Sequence, residues 1–310
     1  MKNVGKVRND GIELTLNTVN IQNKNFKWTT NFNISFNKNK VLELAENQIR
    51  ILSTAKFDQN FNSQPNYIAK IGYPMGMIYG YVYEGTYKYE DFDKSGSTYT
   101  LKGNIPHYTS ESNTQPGMPK YADLNGDGII DTKDRTMIGR GLPIHTGGFT
   151  NNFEYKGFDL SVLLQGVGKR DVWISDARRW PFNSGQFGSL FKDQLDYWKP
   201  VDSANGDWTA ANPNAEYFRI YGQGNNSSYN TRAQTKYLMN GSYLRVKNVT
   251  LSYNFPKSWL APITLTSLKA FLSCENLHTF TKLMKGYDPE RLSWGYPFYR
   301  TISFGFNVTL

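Results

Sequence analysis

The stretch "FKWTTNFNISFN", residues 26–37, alternates between two kinds of side chain. In an extended chain one face would carry Phe26, Trp28, Thr30, Phe32, Ile34 and Phe36, and the other Lys27, Thr29, Asn31, Asn33, Ser35 and Asn37. Because successive side chains of a strand point to opposite faces, the stretch predicts one amphipathic strand with an aromatic face and an amide face. It is longer than the usual strand of about 5–6 residues and fits the roughly 9–11 residues needed to cross a bilayer.

The same alternation recurs along the chain. It is found in residues 11–21, 76–88, 145–155, 158–164, 243–255, 267–277 and 301–310, and more weakly in 65–73. Together with the first stretch these segments predict about nine antiparallel strands. Bacterial outer-membrane barrels have even strand numbers, so an odd count predicts further strands upstream. The fold class we expect is all-β, with residues 1–310 forming the C-terminal portion of a large transmembrane β-barrel.

The connections between the predicted strands are of two lengths. Tight turns such as "QNKN" and "YKGF" alternate with long loops at about 90–143, 170–241 and 279–297. Short turns on the periplasmic side and long loops outside are typical of such barrels. Arg245 and Lys247 are expected at the outer rim, either against lipid headgroups or simply in solvent.

In this arrangement the apolar face of each strand would contact lipid, and the polar face would line a wet lumen. The residues we expect to face lipid come from the first stretch and from the last predicted strand. They are Phe26, Trp28, Phe32, Ile34, Phe36, Ile302, Phe304, Phe306 and Val308.

Composition argues against several other classes. The net charge of +9 comes from 35 basic and 26 acidic residues that are scattered along the chain, which does not favour nucleic-acid binding. The one cysteine, Cys274, excludes an internal disulfide. The three histidines lack metal spacing, and neither a nucleophile elbow nor a phosphate-binding loop of the P-loop type is present, so we do not expect an enzyme.

The segment "DLNGDGIIDTKD", residues 123–134, matches the spacing of a 12-residue calcium loop. Gly128 takes the sixth position, where a sharp turn is needed, and the final position carries an aspartate instead of the usual glutamate. The predicted ligands are Asp123, Asn125, Asp127, the carbonyl group of Ile129, Asp131 and Asp134. The alternative is a polar turn without an ion. A bound Ca²⁺ would stiffen an external loop and would have a structural role.

Five tryptophans lie in the predicted external loops: Trp173, Trp180, Trp198, Trp208 and Trp294. Their rings could stack on the sugar rings of a substrate. The competing interpretation is that they anchor long loops by packing, since large aromatic side chains dominate burial energies.

Several motifs together resemble one family. "YADLNGDGIIDTKDRTMIG" is followed by "TNNFEYKGFDLSVLLQG", "NPNAEYFRI", "GSYLRVKNVTLSYNFP", "ENLHTFTK", "GYDPE" and the closing "YRTISFGFNVTL". In this order they resemble the C-terminal part of SusC/RagA-type TonB-linked outer-membrane proteins, the TonB-dependent receptors. The resemblance covers nearly the whole chain.

That resemblance implies a 22-stranded barrel with an N-terminal plug domain that is absent from this sequence. It also implies import of oligosaccharides or peptides through the outer membrane of a Gram-negative bacterium. The implied partners are membrane lipid, TonB through the missing N-terminal part, and a SusD-like surface lipoprotein that caps the loops. Two other interpretations stay open: a soluble, secreted β-sandwich adhesin or lectin stabilised by calcium, and a passive porin.

Overall fold

A computed structural model gives the structure of most of the chain. The residues it describes are 5–45, 48–53, 66–96, 98–109, 114–173, 192–200, 212, 214–219, 227–230, 232–292, 296 and 298–310.

Strands dominate the described residues. In chain order they are β1 (Lys6–Gln22), β2 (Phe26–Glu43), β3 (Arg50–Ser53), β4 (Tyr67–Lys70), β5 (Met77–Gly80), β6 (Tyr83–Thr86), β7 (Phe92–Ser95), β8 (Thr98–Leu101), β9 (His107–Tyr108), β10 (Pro119–Tyr121), β11 (Ile129–Ile130), β12 (Thr136–Arg140), β13 (His145–Tyr155), β14 (Phe158–Gly168), β15 (Asp171–Trp173), β16 (Leu238–Asn240), β17 (Tyr243–Asn254), β18 (Ser267–Thr281) and β19 (Thr301–Thr309). The α-helices are α1 (Ser227–Asn230) and α2 (Lys257–Leu260). Single 3₁₀ turns lie at Tyr89–Asp91, Thr132–Asp134, Lys192–Leu195, Thr235–Tyr237 and Ala261–Ile263. Within the described residues, no helix is long and apolar enough to cross a membrane.

Seven long strands form one continuous antiparallel sheet, which we call the main sheet. Its order is β1-β2-β13-β14-β17-β18-β19. The opening stretch begins β2, which continues to Glu43 and pairs with β1 on one side and β13 on the other. The all-β, antiparallel fold class predicted from the alternation is confirmed.

Two predicted strands lie elsewhere. Residues 67–70 and 77–80 belong to a separate four-stranded sheet of order β12-β5-β4-β3, so the main sheet has seven strands where about nine were expected. β5 ends at Gly80, where the backbone of Ala233 comes so close that an added Cβ would lie 2.2 Å from its carbonyl oxygen. Tyr79 and Tyr81 are buried. The alternation in 76–88 therefore reflects packing in a dry interior.

The short connections between strands of the main sheet lie at one end of the sheet, and the long connections lie at the other end. Short links join β1 to β2, β13 to β14 and β17 to β18 at residues 23–25, 156–157 and 255–266. Long connections at 44–144, 169–242 and 282–300 leave the opposite end. The predicted loops 90–143 and 170–241 fall inside these, and 279–297 overlaps the third because β18 continues to Thr281.

A dry interior forms within the long connections. One cluster contains Tyr81, Tyr87, Phe92, Leu101, Tyr108, Met118, Tyr121 and Ile130. A second contains Ile78, Trp173, Phe218, Ala233 and Tyr237. We call these two clusters together the loop core.

Candidate functional site

One face of the main sheet is apolar across all seven strands. Directly paired residues share a face, so a row of partners can be followed from strand to strand. One such row runs Ile21, Trp28, Phe153, Leu160, Leu251, Leu272 and Phe304. Every strand contributes an apolar side chain to it.

The opposite face is polar. The next row runs Thr29, Asn152, Ser161, Thr250, Ser273 and Ser303 over six adjacent strands. The Ser161 hydroxyl donates to Asn152 Oδ1 at 2.8 Å, and the hydroxyls of Thr250 and Ser273 lie 2.9 Å apart. Hydroxyls and amides that already bond one another present a wettable, uncharged wall.

Charged pairs mark the short-turn end of this polar face. Lys269 Nζ lies 2.9 Å from Asp159 Oδ2, and Lys27 Nζ lies 3.2 Å from Glu154 Oε1. Such partly exposed pairs contribute at most about 1 kcal/mol each, so their main effect is to fix side-chain positions.

The residues predicted to face lipid share the apolar face. Ile302, Phe304, Phe306 and Val308 of β19 expose 54–67 % of their surface. In β2, Phe36 is exposed, and the others, Phe26, Trp28, Phe32 and Ile34, are half-buried by neighbouring side chains of the same face. Their contact with lipid stays a prediction that depends on what surrounds this face.

A small cluster of hydrogen-bonded polar side chains interrupts the apolar face near the short-turn end, around the Thr30 position of the opening stretch. Trp28 Nε1 and the Thr30 hydroxyl both donate to Asn151 Oδ1, at 2.9 and 2.8 Å. Asn20 Nδ2 donates in turn to Thr30. Polar groups on an apolar face cost less when they bond one another, and the Trp28 indole suits a membrane interface.

Arg245 does not reach lipid or solvent, so both expectations for its position were wrong. The register shifts at Lys247, where β17 has one extra residue against β14, and where Asn276 and Leu277 of β18 lie opposite this single residue on the other side. One extra residue reverses the alternation, so Arg245 joins the polar face beside Gln165. It is fully buried, and its guanidinium lies 2.7 Å from Asp288 and 3.2 Å from Glu290.

That ion-pair cluster attaches the 282–300 connection to the sheet wall. Glu290 also accepts a hydrogen bond from the Tyr243 hydroxyl at 2.8 Å and lies 3.5 Å from Lys247 Nζ. Arg170 donates to the carbonyl oxygen of Pro289 at 3.1 Å. The "GYDPE" motif thus supplies two carboxylates to a buried arginine.

Of the five tryptophans, Trp173 and Trp198 are within the described residues, and each exposes 2 % of its surface. Trp173 belongs to the loop core. Trp198 packs on Tyr89, with ring centroids 5.6 Å apart, and under the Arg219 guanidinium at 5.5 Å. Their burial agrees with an anchoring role. Trp180, Trp208 and Trp294 lie outside the described residues.

Stacked tyrosines and arginines line the loop core. The Arg232 guanidinium lies 4.3 Å from the ring centroid of Tyr229 and 5.1 Å from that of Tyr81. Burial, together with the charge of Glu216, raises the pKa of Tyr83 to about 12. Burial also raises the pKa of Tyr121 well above its ordinary value. These phenols therefore stay neutral at physiological pH.

The acidic loop folds with its carboxylates turned to the backbone. Asp123 accepts from the N–H groups of Gly126 and Gly128 at 2.7 and 2.8 Å. The buried Asp134 accepts from Leu124 and Asp131. A hydrogen bond from the Ile129 N–H is the main cause that lowers the pKa of Asp127.

The ammonium group of Lys133 lies close to carboxylate oxygens that the calcium motif would use as ligands. Lys133 Nζ lies 3.1 Å from Asp127 and 3.8 Å from Asp131. Gly126 and Gly128 have φ of +74° and +79°, the left-handed conformation that the motif requires. Among the described residues, no three His, Cys, Asp or Glu side chains are gathered closely enough to hold a metal. Calcium binding stays a prediction.

The relatives found by comparison with known sequences are all named TonB-dependent receptors. No family model matches the chain. TonB-dependent receptor P3 of Formosa agariphila is 32 % identical over 99 % of this chain and 29 % of its own length. TonB-dependent receptor P26 of the same organism is 30 % identical over 100 % of this chain and 30 % of its length. TonB-dependent receptor SusC of Bacteroides thetaiotaomicron is 23 % identical over 93 % of this chain and 24 % of its length.

Comparison with solved structures agrees at the level of fold. The structure of the RagAB peptide transporter matches with a TM-score of 0.70 and 22 % identity, over 99 % of this chain and 30 % of that one. The RagAB peptide importer in its "open-open" state gives a TM-score of 0.67. The chain spans less than a third of the length of each of these relatives and therefore corresponds to only part of them. Over nearly its whole length, the chain is similar in sequence to part of several TonB-dependent receptors, SusC among them, and similar in fold to part of the RagAB peptide transporter.

Proposed function

We propose that the main sheet is a wall segment of an outer-membrane barrel that imports nutrients in a TonB-dependent way in a Gram-negative bacterium. The observation that carries this proposal is the seven-residue apolar row backed by a polar row. An exposed apolar face of this size suits a surrounding hydrocarbon phase, since monomeric soluble proteins rarely expose such patches.

The energetics favour a membrane around the apolar face. Moving a Phe or Ile side chain from water into hydrocarbon gains roughly 1.5–3 kcal/mol. Antiparallel pairing on both sides bonds the backbone of the inner strands along most of their length, as a lipid environment demands. A β-sandwich would instead cover this face with a second sheet, and no such sheet lies over it in the part of the chain that the structure describes.

Substrate and partners follow from the relatives. One solved neighbour is titled a peptide transporter, and one relative is SusC. We infer a peptide or an oligosaccharide as substrate, a SusD-like surface lipoprotein over the long connections, and TonB as the source of energy through a part of the protein outside these residues. In this assembly the acidic loop would use Ca²⁺ structurally, and no catalytic step is assigned to the chain.

Membrane extraction tests the location. We expect the protein to sediment with outer membranes, to require detergent for release, and to show a heat-modifiable mobility in gel electrophoresis. A water-soluble monomer would support the secreted β-sandwich adhesin or lectin.

Energy dependence tests the transport class. We expect uptake of labelled oligosaccharide or peptide by cells carrying the full-length protein to stop when TonB is deleted. Uptake that continues at the same rate without TonB would favour a passive porin.

A further inference from the structure

The apolar face of the main sheet has a hollow near its long-connection end. It measures about 380 Å³, and its apolar walls are Phe32, Ile34, Phe149, Leu164 and Leu244. Three of these come from adjacent paired positions of β2, β13 and β14. A hollow of this volume is within the range of ligand-binding pockets, about 300–1,000 Å³.

Two glycines open the hollow. Gly147 pairs with Ile34 on one side and with Gly166 on the other, and Gly166 pairs with Leu244. Two neighbouring strands thus lack a side chain at the same level of the apolar face. A Cβ at Gly166 would meet Leu244 at 3.6 Å, an ordinary contact, so a methyl group would fit there without displacing its neighbours.

Two residues further along the same pair of strands, the next glycine on this face is covered by a side chain. His145 pairs with Gly168, and a Cβ at Gly168 would lie 1.9 Å from its Nε2 atom, so the imidazole covers that glycine. The hollow at Gly147 and Gly166 is therefore a feature of this level and is bounded by the His145 ring.

A basic pocket continues the hollow at the end of the sheet. It measures about 600 Å³ and shares His145, Val167, Tyr243 and Leu244 with the apolar hollow. Its polar edge carries Lys169, just after β14, and Lys282, just after β18. Both lysines are exposed, and neither has a carboxylate within ion-pair distance among the described residues.

We propose that the hollow and the basic pocket together bind one anionic lipid, with an acyl chain in the glycine hollow and its phosphate at Lys169 and Lys282. The charge pattern selects this occupant: an apolar slot that ends at two unpaired ammonium groups complements a molecule with a hydrocarbon tail and a phosphate head. A peptide strand fits less well, because the paired backbone of β13 and β14 offers it no free hydrogen bonds. This inference rests on the membrane location proposed above.

Lipid retention by the full-length, detergent-purified protein tests the proposal. Native mass spectrometry would compare phosphatidylglycerol with phosphatidylcholine of identical acyl chains. We expect phosphatidylglycerol to be preferred by about fivefold for each lysine, hence roughly 25-fold. The double variant Lys169→Glu/Lys282→Glu should lose the preference, and Gly166→Leu should reduce retention of both lipids.

The matched control reverses two exposed lysines at the short-turn end, Lys24→Glu/Lys257→Glu, and should keep the preference. Millimolar inorganic phosphate should not displace the lipid, because it lacks the acyl chain. Equal retention of the two lipids, or a preference that survives the Lys169/Lys282 reversal in a variant with unchanged heat-modifiable mobility, would overturn the proposal. A protein that needs no detergent would instead overturn the membrane location itself.

Discussion

In the main sheet, Phe304 exposes 67 % of its surface, whereas in the loop core Tyr87 and Tyr108 expose none. Both regions are rich in aromatic side chains, but their polar atoms differ. In the sheet, the aromatic face is separated by the backbone from a face of hydroxyls and amides. In the loop core, the Tyr87 hydroxyl donates to the carbonyl oxygen of Pro106 at 2.6 Å, within the interior itself. The contrast teaches that the loop core buries its aromatic side chains by itself, whereas the aromatic face of the main sheet stays exposed within the described residues, and the proposed membrane location would cover it with hydrocarbon.

The largest effect should come from removing a ring of the long connections. Trp198→Ala would remove a buried indole that packs against Tyr89 and leaves no room for a side chain at Gly117, where a Cβ would lie 2.3 Å from the ring. We expect a loss of about 3–5 kcal/mol, as is usual for such truncations. Hydrogen exchange should rise in residues 81–121 and stay unchanged in β13 and β14. Equal acceleration in both regions would show that they unfold as one unit.

A charge on the apolar face should cost nearly as much. Phe304→Arg would place a guanidinium midway along β19 and should destabilise the protein by about 2–4 kcal/mol if lipid lies there. The matched change Ser303→Arg, on the other face of the same strand and also exposed, should alter stability by no more than about 0.5 kcal/mol. Chemical unfolding in lipid vesicles measures both. Equal, small effects would indicate water on both faces.

Calcium should stabilise the long connection that contains the acidic loop and leave the main sheet unchanged. If residues 123–134 bind Ca²⁺, a concentration of 100 times Kd should stabilise the fold that holds the loop by about 2.7 kcal/mol. Asp123→Asn should abolish that gain, and Asp93→Asn, an exposed acidic residue elsewhere in the connections, should preserve it. Hydrogen exchange of residues 114–140 with and without chelator provides the measurement. Protection that is the same in both conditions would favour the ion-free turn.

Alkaline pH should weaken the loop core slightly and before the sheet. The pKa of Tyr83 is raised to about 12, whereas an unfolded tyrosine titrates near 10. Its contribution is complete below pH 10 and is lost as the pH rises from about 10 to about 12, because the unfolded chain then loses its proton first. Tyr83→Phe should make the stability less dependent on pH in this window. Ultraviolet absorbance of tyrosinate together with hydrogen exchange checks this.

The sequence was most informative where one periodicity ran uninterrupted. Residues 26–37 and 301–310 alternate strictly, and both became strands of the main sheet with the expected faces. Alternation alone misled at 76–88, because buried tyrosines in short strands produce the same pattern as a membrane strand. Within this segment Gly80 permits a close approach of the Ala233 backbone, which a side chain at this position would block.

The details of the site depend on features that the alternation of side chains along a single strand does not reveal. The bulge at Lys247 places Arg245 on the polar face, and its partners Asp288 and Glu290 lie 43 and 45 residues further along the chain, in the connection that follows β18. The hollow arises because Gly147 and Gly166 pair, which requires the register between strands. Register is a tertiary property and is set by the whole sheet.

The central claim is that one face of the main sheet meets hydrocarbon and the other meets water. Spin labels at successive positions of β19 test it most directly, after replacement of the single native cysteine by Cys274→Ala. Labels at 302, 304, 306 and 308 should be accessible to oxygen and protected from a water-soluble nickel complex, and labels at 303, 305 and 307 should show the reverse. Equal nickel accessibility along the whole strand would contradict the account.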